Sequence, residues 1–352
     1  AHQLNNPLGG ITLYAQLMET LLATEAQRSI GRLSGCFTTK TVKGLTYSYF
    51  QYSDPGGHLR QVYLGRKDAV LDRVIDKFVS ERETFKPDTE HLQRLCAQLR
   101  AGGALVTDTA SSRVLKALAD SGVFQMGAVL VGTHAFIVLG NLLGVKWAGS
   151  SLRTQDLDIG ADALMSIGIP HVAADVPDVL ERLEMGFLPV PPFNAKHPST
   201  SFKVRGKALR VDLLTPQRRS KETGPIVISR FKAAAQPLPY LDYLVEGFER
   251  GAVVDGGGIL VIVPSPARFG FHKLIVAGER GAVVHTKTEK DLMQAVEVLT
   301  FLVEGRAGDV RIAWDEIKRR GKGWMRRVSS GLSRLKALYP DEHRTIASFI
   351  RK

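Results

Sequence analysis

The sequence predicts an α+β protein: a mixed sheet with flanking helices, preceded by a small β-meander extension and followed by a helical C-terminal region. Three observations predict it. Short runs of alternating polar and apolar residues cluster between residues 36 and 64 and again between 128 and 263. Apolar residues at helical spacing dominate 67–101 and everything after Ser265. Between them, Ala101-Gly102-Gly103 marks a change from charged to small and apolar residues. The expected divisions are therefore 1–103, 104–264 and 265–352.

In chain order, Leu13, Leu17, Leu21 and Leu22 predict a helix over 11–34. Strands follow at 36–42, 45–52 and 61–64, joined at Gly44 and at Asp54-Pro55-Gly56-Gly57. The charged stretch 67–101 reads as a pair of helices. Next come a helix at 111–121, a strand at 128–131, the turn Gly132-Thr133 and a helix to about residue 143. A strand carrying Asp156 and Asp158 follows, then strands at 201–204 and 208–214 around the turn Arg205-Gly206-Lys207. Further strands are expected at 225–228 and 259–263. Asp255-Gly256-Gly257-Gly258 reads as a tight hairpin, since no helix bearing Lys-Ser/Thr follows it to cradle phosphate. Helical patterns then cover 266–279, 287–304 and 309–352.

Composition narrows the function. The 352 residues are 44% hydrophobic and 23% charged, ordinary for a soluble globular chain, with a formal charge of +12. That balance favours polyanionic partners such as nucleotides or nucleic acid. Cys36 and Cys96 are too few and too far apart for a disulfide framework or a zinc site, and a reducing cytoplasm is expected. Residues 127–145 are uncharged and nearly long enough to span a bilayer, but His134, Asn141 and three glycines divide them into a buried strand and helix. No secretion signal and no membrane association are expected.

The chemistry centres on Arg153-Thr154-Gln155-Asp156-Leu157-Asp158. On a strand, Asp156 and Asp158 share one face, where their mutual repulsion is relieved by a divalent cation. An isolated Asp-x-Asp triplet is equally what a solvated strand end shows, so its surroundings decide. Val131-Gly132-Thr133 ends a strand and opens a helix, aiming backbone N–H groups and a hydroxyl at a phosphate. Asp212, in Arg210-Val211-Asp212, offers a third carboxylate. Three carboxylates would hold two Mg²⁺ ions, with Mn²⁺ an alternative. Arg153, Lys273 and Arg280 are the candidate cations for triphosphate charge, the last two seven apart on an expected helix.

This set resembles the polymerase-β-like nucleotidyltransferase superfamily, whose signature is a Gly-Ser/Thr turn, an Asp-x-Asp strand and a later single Asp. It is similar most closely to bacterial nucleotidyltransferases of the abortive-infection toxin type, through the Arg-Ser/Thr-x-Asp-x-Asp block, the Lys273-x6-Arg280 helix and the Lys290-Asp291 pair. The resemblance covers about residues 105–300. It implies a metal-dependent enzyme moving a nucleoside monophosphate from an NTP to an acceptor hydroxyl. Gly132, Thr133, Arg153, Lys273 and Arg280 would bind nucleotide, Asp156, Asp158 and Asp212 would hold metal, and Asp212 would help deprotonate the acceptor.

Residues 1–100 fall outside that resemblance. The meander interleaves Lys40, Lys43, Arg60 and Arg66 with Tyr47, Tyr49, Phe50, Tyr52 and Tyr63, a mix that stacks on RNA bases and pairs with phosphates; aromatic packing within a small sheet is the plainer reading. A non-catalytic nucleic-acid- or nucleotide-binding regulator is accordingly the alternative function. His2-Gln3-Leu4-Asn5-Asn6-Pro7-Leu8 resembles the phospho-accepting box of sensor histidine kinases, but the kinase ATP-binding motifs are missing from the sequence.

Overall fold

The computed structural model describes residues 17–20, 35–53, 59–147, 154–164, 174–192, 194, 197–218, 224–280 and 285–351. Arg153, the turn at 54–57, the box at 2–8 and most of the expected helix 11–34 lie outside the described residues.

Strands β1 (Gly35–Val42), β2 (Leu45–Ser53) and β3 (Leu59–Arg66) form the expected antiparallel meander. Lys43 and Gly44 link the first two with φ of 52° and 75°, the paired left-handed conformation that matches strand twist in a two-residue hairpin. Residues 67–101 depart from expectation, forming one helix, α1 (Ala69–Ala101), rather than two. Asp68 caps it by accepting from the N–H groups of Val70 and Leu71. The helix continues through position 87 although a proline carries no backbone N–H to donate. Leu92, Leu95, Cys96 and Leu99, near the end of α1, join Ala252 and Val254 in a small second core.

The main sheet runs in the order β4 (Ala128–Val131), β5 (Asp156–Ala161), β8 (Arg210–Pro216), β10 (Ala233–Leu238), β9 (Ile226–Ile228). Strand β7 (Ser201–Val204) pairs with β8, and β6 (Phe187–Pro189) with β7. It is a mixed sheet: β5 and β10 run parallel to β8, while β4, β7 and β9 are antiparallel to their neighbours. Strands β11 (Phe248–Val253) and β12 (Ile259–Pro264) form a separate hairpin closed by a short 3₁₀ turn at Asp255–Gly257, as expected of the glycine run. There the Asp255 carboxylate accepts the Thr107 N–H at 2.7 Å, an interior structural bond.

Helices α2 (Thr109–Asp120), α3 (Gly132–Leu143), α4 (Val176–Glu181) and α5 (Leu241–Val245) flank the sheet. The C-terminal region comprises α6 (Pro266–Glu279), α7 (His285–Gly305), α8 (Ala307–Arg319), α9 (Lys322–Leu338) and α10 (Pro340–Arg351). The pattern over 309–352 is thus three helices, divided at Gly321, whose φ is 97°, and at Tyr339-Pro340. A Cβ on Gly278 of α6 would collide with the Arg327 carbonyl of α9, and one on Gly331 of α9 with the Leu274 carbonyl. Glycine at both points lets the two backbones touch, which fixes how α6 presents Lys273. Residues 128–141 are almost wholly buried in the main core, and no described helix is long and apolar enough to cross a membrane.

Candidate active site

Over the first four residues of β5 burial alternates: Leu157 and Ile159 are buried in the core, placing Asp156 and Asp158 on the opposite face. Strand β8 repeats the pattern, burying Val211 and Leu213 and turning out Arg210 and Asp212. Parallel pairing sets Asp158 level with Asp212 and Asp156 level with Arg210. Across the next ladder, Ser201 faces Asp212 and Lys203 faces Arg210. Two apolar-polar alternations held in register thereby gather the three sequence-predicted carboxylates on one face of the sheet.

On the other side of β5, Val131 is level with Asp158, and α3 begins at the next residue. Gly132 has φ of 67°, and a side chain there would collide with the Asp158 carboxylate. Glycine is required twice over, for the conformation and for the space. Thr133 is buried in the first turn of α3, whose start has no side-chain cap, so its leading N–H groups and dipole are directed at the carboxylate side. The glycine-threonine turn and the Asp-x-Asp strand are therefore direct neighbours.

The Asp158 pKa rises to about 7, chiefly through burial and then through the Asp212 charge, with Asp156 adding to it and Lys273 and Arg210 opposing. Arg210 supplies local relief. Its Nε donates to Asp212 Oδ1 at 2.8 Å and to Ser201 Oγ at 2.7 Å.

The cationic side is built by α6 and α7. Lys273 Nζ donates to Asp291 Oδ1 at 2.8 Å and lies 5.2 Å from the centre of the Phe269 ring. Arg280 pairs with the other Asp291 oxygen. It reaches there from just beyond α6, as the C-terminal capping residue in an extended conformation rather than on the helix face. Asp291 is only 8% exposed, so the two cations are held by one buried carboxylate. Its neighbour Lys290 has a lowered pKa, from burial and from Lys273, with Asp291, Asp156 and Asp158 pulling the other way. Lys290 thus shares the electrostatic environment of the carboxylates.

Two histidines border this region. His134, next to Thr133, is buried with both ring nitrogens lacking a hydrogen-bond partner among the described residues, and burial lowers its pKa to about 4. His272, beside Lys273, is lowered to about 3 by burial and that cation.

The structure brings together Gly132, Thr133, Asp156, Asp158 and Asp212, and puts Lys273 within electrostatic range of Asp158. Sequence reasoning missed Arg210, whose i, i+2 spacing to Asp212 on a strand was a usable signal. It also missed Asp291 as the hub for Lys273 and Arg280, a role that the Lys290-Asp291 pair only hints at. Among the described residues, no three His, Cys, Asp or Glu side chains converge as a finished metal cage. Asp212 lies on Arg210 instead. The donor set is nevertheless all carboxylate oxygen, the chemistry that suits Mg²⁺ or Mn²⁺, and the like-charged pair Asp158 and Asp212 is what a divalent cation would neutralise.

A nucleotidyltransferase family model matches residues 109–319, the span from α2 to α8 that contains all three carboxylates, Lys273, Arg280 and Asp291. No curated protein matches the chain. The crystal structure of an antigenic nucleotidyltransferase-like protein from Paracoccidioides brasiliensis is similar at 13% identity, covering 69% of this chain and 94% of that chain, with a TM-score of 0.39.

Proposed function

This chain belongs to a nucleotidyltransferase family, and from that premise we propose that it transfers a nucleoside monophosphate from an NTP to an acceptor hydroxyl at the Asp156, Asp158, Asp212 face. The observation that carries this reading is the register of Asp158 beside Asp212, directly against the uncapped start of α3 at Gly132. Two acids and a helix N-terminus crowd one point, an arrangement suited to a polyphosphate accompanied by divalent cations.

In the proposed reaction the acceptor oxygen attacks the α-phosphorus, the bond from that phosphorus to the bridging oxygen breaks, and pyrophosphate leaves. The N–H groups at Gly132 and Thr133 bind phosphate oxygens and hold the chain of phosphates in line. Asp212 takes the acceptor proton once Arg210 releases it. Lys273 balances charge on the leaving group, and Arg280 stiffens Lys273 through Asp291. Mg²⁺ or Mn²⁺, carried by Asp156, Asp158 and Asp212, would supply charge neutralisation of the triphosphate and activation of the hydroxyl. The closer likeness to abortive-infection toxin enzymes is supported by the Lys273, Arg280 and Asp291 cluster.

The test is transfer of label from each of the four α-labelled NTPs, with Mg²⁺ or Mn²⁺, to RNA, protein or the chain itself. Wild type should label one acceptor class, and Asp156→Ala and Asp158→Ala should not. Equal labelling by these variants removes the carboxylates from the chemistry. Nucleotide binding with no transfer under any condition favours the regulator reading.

A further inference from the structure

The meander plays no part in the proposed chemistry, yet its two faces differ sharply. Strand register sorts them. Ser48 and Phe50 on β2 point inward and are buried, with the Phe37 ring tilted against that of Phe50, centres 5.1 Å apart, on the side that shares a cleft with Asp72 and Ile75 of α1. The alternate residues of β2 point the other way: Tyr47 is level with Lys40 and Arg66, and Tyr49 is level with Thr38 and Tyr63. Tyr63 is 56% exposed and sits 5.6 Å from Tyr49 and 6.0 Å from Tyr47, ring centre to ring centre. Lys40 lies 5.1 Å above the Tyr49 ring.

A solvent-facing sheet surface normally carries polar residues, because exposed aromatic area costs free energy with no return in the free protein. Here three tyrosines form a continuous patch flanked by Lys40 and Arg66, and the three strands contain no acidic residue. Aromatic faces bordered by cations, with no anions, complement unpaired bases joined by phosphates. Beside the tyrosines, Lys40 donates to the Gln61 amide oxygen at 2.7 Å and Gln61 reaches Gln51 at 3.4 Å. Such a row of amides can both donate to and accept from a ribose 2′-hydroxyl.

We propose that this face of the meander binds single-stranded RNA, with bases stacked on Tyr47, Tyr49 and Tyr63 and phosphates on Lys40 and Arg66. This role is independent of nucleotidyl transfer, and it makes RNA the class of acceptor delivered to the enzyme if the transfer reading holds.

The experiment uses the full chain, without NTP or metal, and a short fluorescein-labelled single-stranded RNA of mixed sequence followed by anisotropy across a salt series. Wild type should bind, and affinity should fall with salt. Tyr63→Ala should weaken binding about tenfold while Tyr63→Phe, which keeps the ring, binds as wild type. Lys40→Glu should weaken binding and flatten the salt dependence, and Asp158→Asn should leave it unchanged. No binding by wild type, or wild-type binding by Tyr63→Ala, overturns the proposal. Equally tight binding of duplex RNA overturns the stacking model, and equally tight binding of single-stranded DNA overturns the assignment to RNA. Because transfer is not measured, loss of the enzymatic reading leaves this result standing, and the reverse.

Discussion

The carboxylate of Asp158 fills the space that any side chain at position 132 would need. The helix start and the strand carrying Asp156 and Asp158 are therefore fitted to each other at one atom's precision, and Gly132→Ala should disturb both. The left-handed φ and the collision together should cost about 2–4 kcal/mol. Transfer should fall at least about 100-fold because Asp158 must move. Urea denaturation and label transfer measure the two losses, and a variant with wild-type stability would refute the packing argument.

Metal binding should register as stability. With Asp158 and Asp212 level on adjacent strands, added Mg²⁺ or Mn²⁺ should raise the Tm of wild type. Asp158→Asn should abolish that rise, and without metal it should melt at or above the wild-type Tm, because a buried like-charge neighbour is gone. A metal-induced rise that persists in Asp158→Asn and Asp212→Asn would place the ion elsewhere.

Asp291 should prove more costly to remove than its outer partner Arg280. Asp291→Ala leaves Lys273, 13% exposed, without its carboxylate, and loss of one member of a buried ion pair costs about 3–5 kcal/mol. Arg280→Ala, at a more exposed position, should cost about 1 kcal/mol. Chemical denaturation of both variants checks the ranking.

Acid should destabilise the fold through His134 and His272. Their pKa values, about 4 and about 3 in the folded chain, lie below the ordinary 6.5, so the unfolded chain binds more protons as pH drops. Stability is full above pH 6.5 and declines from there toward pH 4, by about 1.4 kcal/mol per pH unit for each histidine. Asp158, with its raised pKa, opposes this over part of the range. The comparison is therefore best made in the Asp158→Asn background, where His134→Gln should reduce the slope of denaturation free energy against pH between 6 and 5. An unchanged slope would mean that His134 is not buried as a neutral ring.

Much of this site was legible because strands announce their faces. Asp156-Leu157-Asp158 and Arg210-Val211-Asp212 alternate without exception, so assigning them to strands also assigned their acids to a face. What alternation cannot state is register, and only the ladder brings Asp158 level with Asp212 rather than with Arg210. Gly132-Thr133 was readable as a turn opening a helix, whereas the contact with Asp158 depends on the neighbouring strand. Asp291 was harder, since its partners lie one helix away and its burial follows from packing of α6 on α7. The single helix α1 escaped for a different reason: the pattern marks 67–101 as helical without stating whether one helix or two carries it.

The parallel pairing of β5 with β8 also gives the site a history in time. Asp156 and Asp158 are translated well before Asp212, and the strand that carries Asp212 must return across the sheet before the three acids meet. A nascent chain that stops short of Arg210 holds two of the three acids, on a strand that can pair with β4 but not yet with β8. The third acid joins the other two only when β8 has paired with β5, and the cations Lys273 and Arg280 follow it in the chain.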